Sequence, residues 1–185
     1  MIIYIIGKMG CGKTLTLTLL GYLAYLGGST IYSNYKVNFP HVKIVNPEDV
    51  LKIREGTFLF DEGWTWLDSR TSSTKSNRIL TAIFTRSRKV GFDVLHTSQM
   101  YMKVDNRLRK QTDWLVLTSF DRPTNSCLVD IYEYRGESGS TPMLSDRTIK
   151  TFRYDATAAY PLYSTHAGIY EDEFLEAEMP EKEKA

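Results

Sequence analysis

Residues 2–6 (IIYII) form a short unbroken apolar run rich in β-branched side chains, which predicts a strand covered on both faces within a parallel sheet. From 13 to 26 the leucines fall nearly all round a helical cylinder, so the next element is a helix covered on most sides and ended by Gly27 and Gly28. Residues 30–34 (TIYSN) read as a second strand, and 35–45 as an extended excursion broken at Pro40. Asn46, Pro47, Glu48 and Asp49 supply a cap, a proline at the first helical position and first-turn acids, predicting a short helix over 47–54 closed by Gly56. A third strand spans 57–60.

Residues 69–77 (SRTSSTKSN) hold no apolar side chain and read as a mobile loop. Ile79, Leu80, Ile83 and Phe84 then mark a helix whose other face carries bases. Further strands are predicted at 92–98, 114–118 and 127–134, with a turn at 121–125. Beyond these, GESGSTP (136–142) reads as a loop, 148–154 as an edge strand, and the acidic end as frayed or docked on a partner. Strands alternating with helices predict an α/β domain around a mostly parallel sheet.

At 185 residues, 42% hydrophobic and 24% charged, the composition is that of one soluble globular domain, with core enough to hold without disulfides. Cys11 and Cys127 are too far apart and too few for a staple framework or a CxxC metal pattern, which suits a reducing cytoplasm. His41, His96 and His166 are equally scattered, so zinc is not expected. The apolar start is too short for a signal-peptide core, and the most apolar helical stretch, 15–26, falls short of the roughly 20 residues that cross a bilayer. No integral membrane segment is therefore expected, and the location expected is cytoplasmic, that of the host if the chain is viral.

The formal net charge of +1 hides a segregation along the chain. From Arg70 to Lys110 there are ten bases against two acids, and from Glu171 onward seven acids against two lysines. A solvated face can look like this, but so can the footprint of an anionic partner or an acidic neighbouring subunit, because local charge sets the surface field.

Gly7-Lys8-Met9-Gly10-Cys11-Gly12-Lys13-Thr14 completes a GxxxxGK[ST] phosphate loop directly after a buried strand and at the head of a helix. The glycines let the backbone curl so that its N–H groups face phosphate oxygens, with the positive end of the helix dipole, at Thr14 and Leu15, behind them. Lys13 is placed to reach the β- and γ-phosphates of ATP, and Thr14 to ligate Mg²⁺. Cys11 reads as a small loop residue rather than a redox switch. Phe58-Leu59-Phe60-Asp61-Glu62 is an apolar strand ending in two carboxylates, the Walker B pattern: Asp61 for Mg²⁺, Glu62 to orient and deprotonate the attacking water. Gln99, after Thr97 and Ser98 at the carboxyl edge of the fourth strand, is placed to sense the γ-phosphate or position water. Arg86 and Arg88 are candidates for an arginine donated to a neighbouring subunit's site, with Arg107 and Arg109 as runners-up. Arg70 and Lys75 either meet a nucleic-acid backbone or only solvent. Trp64, Trp66 and the Met100-Tyr101-Met102 stretch read as packing.

Together GKMGCGKT, TIYSN, FLFDEGW, RSRKVGFDVLHTSQ and VDNRLRKQTDWLV resemble the P-loop ATPases of the FtsK/HerA branch, in particular viral genome-packaging ATPases and the zonula occludens toxin (Zot)-like assembly ATPases of filamentous phages. The likeness covers about residues 1 to 120. It implies a RecA/ASCE-like P-loop NTPase fold, with a P-loop ATPase domain over 1–155 and an acidic tail over 156–185. It further implies a ring oligomer, often a hexamer, with ATP at subunit interfaces and double-stranded DNA in a basic channel. By position Lys13, Thr14, Asp61, Glu62 and Gln99 match the family's nucleotide site, and Arg86 or Arg88 lies where a trans arginine is sought. Zot-like proteins usually carry a membrane-spanning segment and a further domain, and cellular FtsK-type translocases carry additional domains, so the expectation here is a compact viral DNA-packaging motor. A Zot-like assembly ATPase with a capsid or membrane partner is the alternative; a small-molecule kinase and a non-hydrolysing nucleotide-gated module are the lesser ones.

Overall fold

The computed structural model describes residues 1–62, 84, 85, 87, 91–99, 101–104, 106–139 and 141–164. Its elements in chain order are β1 (Ile2–Ile6), α1 (Lys13–Leu26), β2 (Ile31–Ser33), β3 (Val42–Lys43), α2 (Pro47–Val50), β4 (Gly56–Phe60), β5 (Phe92–Ser98), α3 (Asn106–Arg109), β6 (Trp114–Asp121), β7 (Ser126–Ser138), β8 (Thr141–Leu144) and β9 (Lys150–Asp155). The strands form one sheet in the order β3-β2-β4-β5-β1-β6-β7-β8, with β9 also pairing with β7. Every pairing from β3 to β6 is parallel, and those of β7 with β6, β8 and β9 are antiparallel.

The unbroken apolar run of β1 is explained by its place, flanked by β5 and β6 and covered on both faces. Ile2 and Tyr4 join Phe58, Phe60, Val94 and Leu115 on one side; Ile3 and Ile5 join Leu17 of α1 with Leu59, Leu95 and Val116 on the other. In a parallel sheet all carboxyl ends lie along one edge, so β1, β4 and β5 deliver Gly7, Asp61 and Gln99 to the same rim. The α/β class with a mostly parallel sheet is therefore as the alternation of elements predicts.

Three expectations are corrected. The helix predicted over 47–54 is α2 alone, held by a capping box in which Asn46 accepts from the Asp49 backbone N–H, and Leu51 and Lys52 form a turn. Gly56 does not close that helix; it opens β4, where a Cβ would sit 2.3 Å from the Thr30 carbonyl oxygen, so only glycine fits between the strands. The loop predicted over 136–142 is largely strand: β7 continues to Ser138 and β8 starts at Thr141, with a register shift between Tyr134 and Glu137 around Gly136. Its Gly and Ser content reflects a bulged hairpin, not the end of pairing. The loop at 69–77, Ile79, Leu80 and Ile83 of the helix that they mark with Phe84, Trp64, Trp66 and the acidic end lie outside the described residues.

Residues 156–163, which the sequence places with the acidic tail, pack on α1: Ala156 and Ala159 are buried against Leu15, and Val37 bridges to Tyr163. Among the described residues no helix is long and apolar enough to cross a membrane.

Arg109 is 4% exposed. Its Nε donates to Glu137 Oε2 at 3.0 Å, its Nη1 donates to the carbonyls of Met102 and Val104, and its guanidinium lies 5.1 Å from the Tyr101 ring centre. An arginine so enclosed ties α3 to β7 and does not reach a neighbouring subunit, which removes it as a runner-up finger. Arg109→Ala strands the Glu137 carboxylate and is expected to cost roughly 3–5 kcal/mol in a denaturant titration, while pairing it with Glu137→Leu recovers much of the loss. Arg109 holds the Glu137 carboxyl below the ordinary range. Its contribution is thus present above the usual glutamate pKa and lost as pH falls through the lowered one, and Glu137→Gln removes that acid-side slope.

Candidate nucleotide site

The loop from Gly7 to Thr14 closes on itself through bonds to one carbonyl. Cys11 N–H donates to the Lys8 carbonyl at 3.3 Å, and Lys13, 6% exposed, donates from Nζ to the same carbonyl at 3.0 Å. Gly12 caps α1 in the left-handed region (φ 85), and a Cβ there would lie 2.3 Å from Cys127 Sγ, so both the turn and the fit to β7 demand glycine. No side chain caps α1, which leaves its first-turn amides to an anion. Cys11 Sγ lies 3.2 Å from Thr118 Oγ1, and Gly10 has φ 72 with Met9 81% exposed at the lip. Leu15 packs with Ala156 and Ala159.

Asp61 stands directly across from this loop. Thr14 Oγ1 donates to its two carboxylate oxygens at 3.1 and 3.0 Å, and Thr97 Oγ1 donates to Oδ1 at 2.6 Å. Its backbone is held by Asn34, which accepts from Asp61 N–H at 2.8 Å and donates to the Asp61 carbonyl at 3.0 Å. The same Thr97 oxygen accepts from Glu62 N–H at 2.9 Å. Glu62 has φ 48, uncommon for a residue with a side chain, and Gln99 Nε2 donates to its Oε1 at 3.2 Å. The phosphate loop, Asp61, Glu62 and Gln99 are thus brought together at one rim of the sheet.

Burial, and after it the neighbouring Glu62 charge, raises the Asp61 carboxyl above its ordinary value against the opposing pull of the Thr97 and Thr14 hydroxyls. A carboxylate kept costly in this way, beside a threonine hydroxyl, is a hard-oxygen pair suited to Mg²⁺, which characteristically takes one or two carboxylates plus substrate phosphates. The residues present therefore fit that ion. Among the described residues no cluster of three or more His, Cys, Asp or Glu is placed to hold a metal.

A cleft of about 330 Å³ opens over the loop, lined by Met9, Gly10, Gly12, Lys13, Thr14 and Leu15, by Glu62 and Gln99, and by Phe120, Tyr160 and Tyr163. No family model matches the sequence, and no curated protein matches it. Solved structures do. The N-terminal domain of zonular occludens toxin from Neisseria meningitidis is similar with a TM-score of 0.56 at 16% identity, over 88% of this chain and 98% of that one. The genome packaging NTPase of Sulfolobus turreted icosahedral virus 2, in complex with AMPPCP, is similar at 0.52 and 10%, over 80% and 98%. Flagellar accessory protein FlaH from Methanocaldococcus jannaschii is similar at 0.51 and 12%, over 78% and 88%. The chain has the P-loop NTPase fold.

Within that fold the structure adds two residues to the site. Thr97 and Asn34 were visible only as strand-end polar residues; β4 lies between β2 and β5, so their side chains converge on Asp61 from both sides. Arg86 and Arg88 lie outside the described residues, as do Arg70, Lys75 and the side chain of Arg107.

Because burial raises its folded pKa, ionised Asp61 costs the fold stability above both pKa values, and that cost disappears as pH falls through the folded pKa toward the unfolded one. Asp61→Asn is expected to leave metal-free thermal stability at pH 7 unchanged or higher, while removing the stabilisation that Mg²⁺ with nucleotide confers in the same melt. Thr97→Val strands the Glu62 N–H and is expected to cost about 1–3 kcal/mol by chemical denaturation.

Proposed function

We propose that this protein is an Mg²⁺-dependent ATPase that couples hydrolysis to the movement of double-stranded DNA, as a viral genome-packaging motor does. The observation that carries it is the joined set of Thr14, Asp61, Thr97, Glu62 and Gln99 beside the phosphate loop. A carboxylate poised after the metal-binding one is what water activation requires, and a kinase transferring to a substrate hydroxyl has less need of it.

In this reading Lys13 gives up the Lys8 carbonyl for the β- and γ-phosphates, and the loop amides and first turn of α1 hold the remaining oxygens. Thr14 and Asp61 hold Mg²⁺, which when bound neutralises phosphate charge. Glu62 takes the proton of the attacking water, and Gln99 fixes the carboxylate that does so. Thr97 couples the two acids, since its one hydroxyl serves both the Asp61 carboxylate and the Glu62 amide. The motor assembles as a ring, often a hexamer in such systems, with Arg86 or Arg88 completing a neighbour's site and the bases between Arg70 and Lys110, the enclosed Arg109 apart, facing DNA phosphates. Likeness to the genome packaging NTPase supports the DNA-moving role; likeness to the zonular occludens toxin domain supports the second reading, an assembly ATPase working through a capsid or membrane partner.

Steady-state ATPase assays with and without duplex DNA test both. Glu62→Gln is expected to keep ATP affinity and lose about 100-fold or more of turnover, and Lys13→Ala to lose binding. Duplex DNA is expected to stimulate the wild type, with the stimulation fading between about 50 and 200 mM salt. Turnover indifferent to DNA selects the assembly ATPase, and unchanged turnover in Glu62→Gln removes the general base.

A further inference from the structure

The cleft over the phosphate loop continues into an aromatic wall that phosphate binding does not explain. Phe120 comes from the end of β6, and Tyr160 and Tyr163 from the turns after β9. The Phe120 ring reaches the loop itself, its Cδ2 lying 3.9 Å from where a Gly12 Cβ would stand. Tyr160 is 44% exposed, a large ring left open to solvent beside a highly polar loop.

The wall is built rather than loosely draped. Tyr160 Oη donates to Asn125 Oδ1 at 2.7 Å, and the Asn125 carbonyl accepts from Ala156 N–H at 2.9 Å, so the β6–β7 turn grips the segment at two points. Asp155 caps the first turn by accepting from Thr157 N–H at 2.8 Å. On the far side Asn38 N–H donates to the Leu162 carbonyl at 2.7 Å, and the Tyr163 ring meets Tyr35 edge-on at 6.4 Å between centres. Rings fixed in this way lose little freedom when a flat ligand settles on them.

The geometry points to a nucleobase subsite in which Tyr160, with Phe120 and Tyr163, stacks the purine of the nucleoside triphosphate whose phosphates the loop holds. It rests on the nucleotide reading above and adds what selects a nucleoside over a bare polyphosphate. A triphosphate offers no apolar surface to these rings, whereas a heteroaromatic base does, and stacking on an aromatic side chain is a substantial share of base affinity. The volume suits the task, since about 300 Å³ is the lower end of small-ligand pockets. Asn125, at φ 47, acts here as a positioning residue through the Tyr160 hydroxyl.

Calorimetric titration of the full chain, with Mg²⁺, against ATP and separately against inorganic tripolyphosphate tests the subsite. Tyr160→Ala is expected to weaken ATP by about 5- to 150-fold and to leave tripolyphosphate within about twofold; Tyr160→Phe keeps the ring and most of the affinity. Asn125→Gly, which suits the positive φ, is expected to fall between them for ATP with tripolyphosphate again unmoved. ATP affinity unchanged in both Tyr160→Ala and Phe120→Ala overturns the subsite, as does a parallel loss of both ligands, which marks a structural role. A change in oligomer mass with ATP affinity intact also overturns it and assigns the wall to a second copy. If the wild type takes neither ligand, the phosphate-loop reading itself falls, and the subsite with it.

Discussion

One half-buried carboxylate organises the functional edge of this molecule. Asp61 joins three strands and a helix at a point: its side chain takes hydroxyls from α1 and β5, and its backbone is clasped by Asn34 just beyond β2. A carboxylate withdrawn from water needs such partners, and their number fixes the mutual height of β2, β4 and β5 to within a hydrogen bond. The same geometry sets where Glu62 emerges, because its amide is held by the hydroxyl that also serves Asp61.

This arrangement places rigid and yielding parts in order. The parallel strands are packed on both faces, so the rim they present is stiff. The phosphate loop on that rim is held by weaker bonds to its own carbonyl at Lys8, which a phosphate can replace without disturbing the core. Glu62, with its left-handed backbone, sits between the two, held at the amide by Thr97 and met at the carboxylate by Gln99.

The antiparallel side of the sheet has a separate task. β7 leaves the parallel register, carries Cys127 against the phosphate loop and Glu137 against Arg109, and turns through Asn125 to grip the segment after β9. It therefore links the phosphate loop, the buried ion pair and the aromatic wall in one strand and its turn. Arg109 shows how an arginine that sequence ranks as a runner-up for a donated finger becomes a structural brace when a strand brings its counter-ion 28 positions along the chain into contact.

The sequence by itself determined the phosphate loop, the acidic pair at 61 and 62, the strand-end glutamine and the alternation of strands and helices, because each is a local pattern: glycines where a turn is left-handed, an apolar run where a strand is covered twice, carboxylates where that run stops. Only the tertiary structure decided the rest. Thr97 and Asn34 join Asp61 through strand order, which no local pattern encodes, and residues 156–163 belong to the site because they return across α1 long after the motifs have ended. The bulged hairpin of β7 and β8 was hidden by glycine and serine, whose turn chemistry looks the same in a loop and at a bend within paired strands.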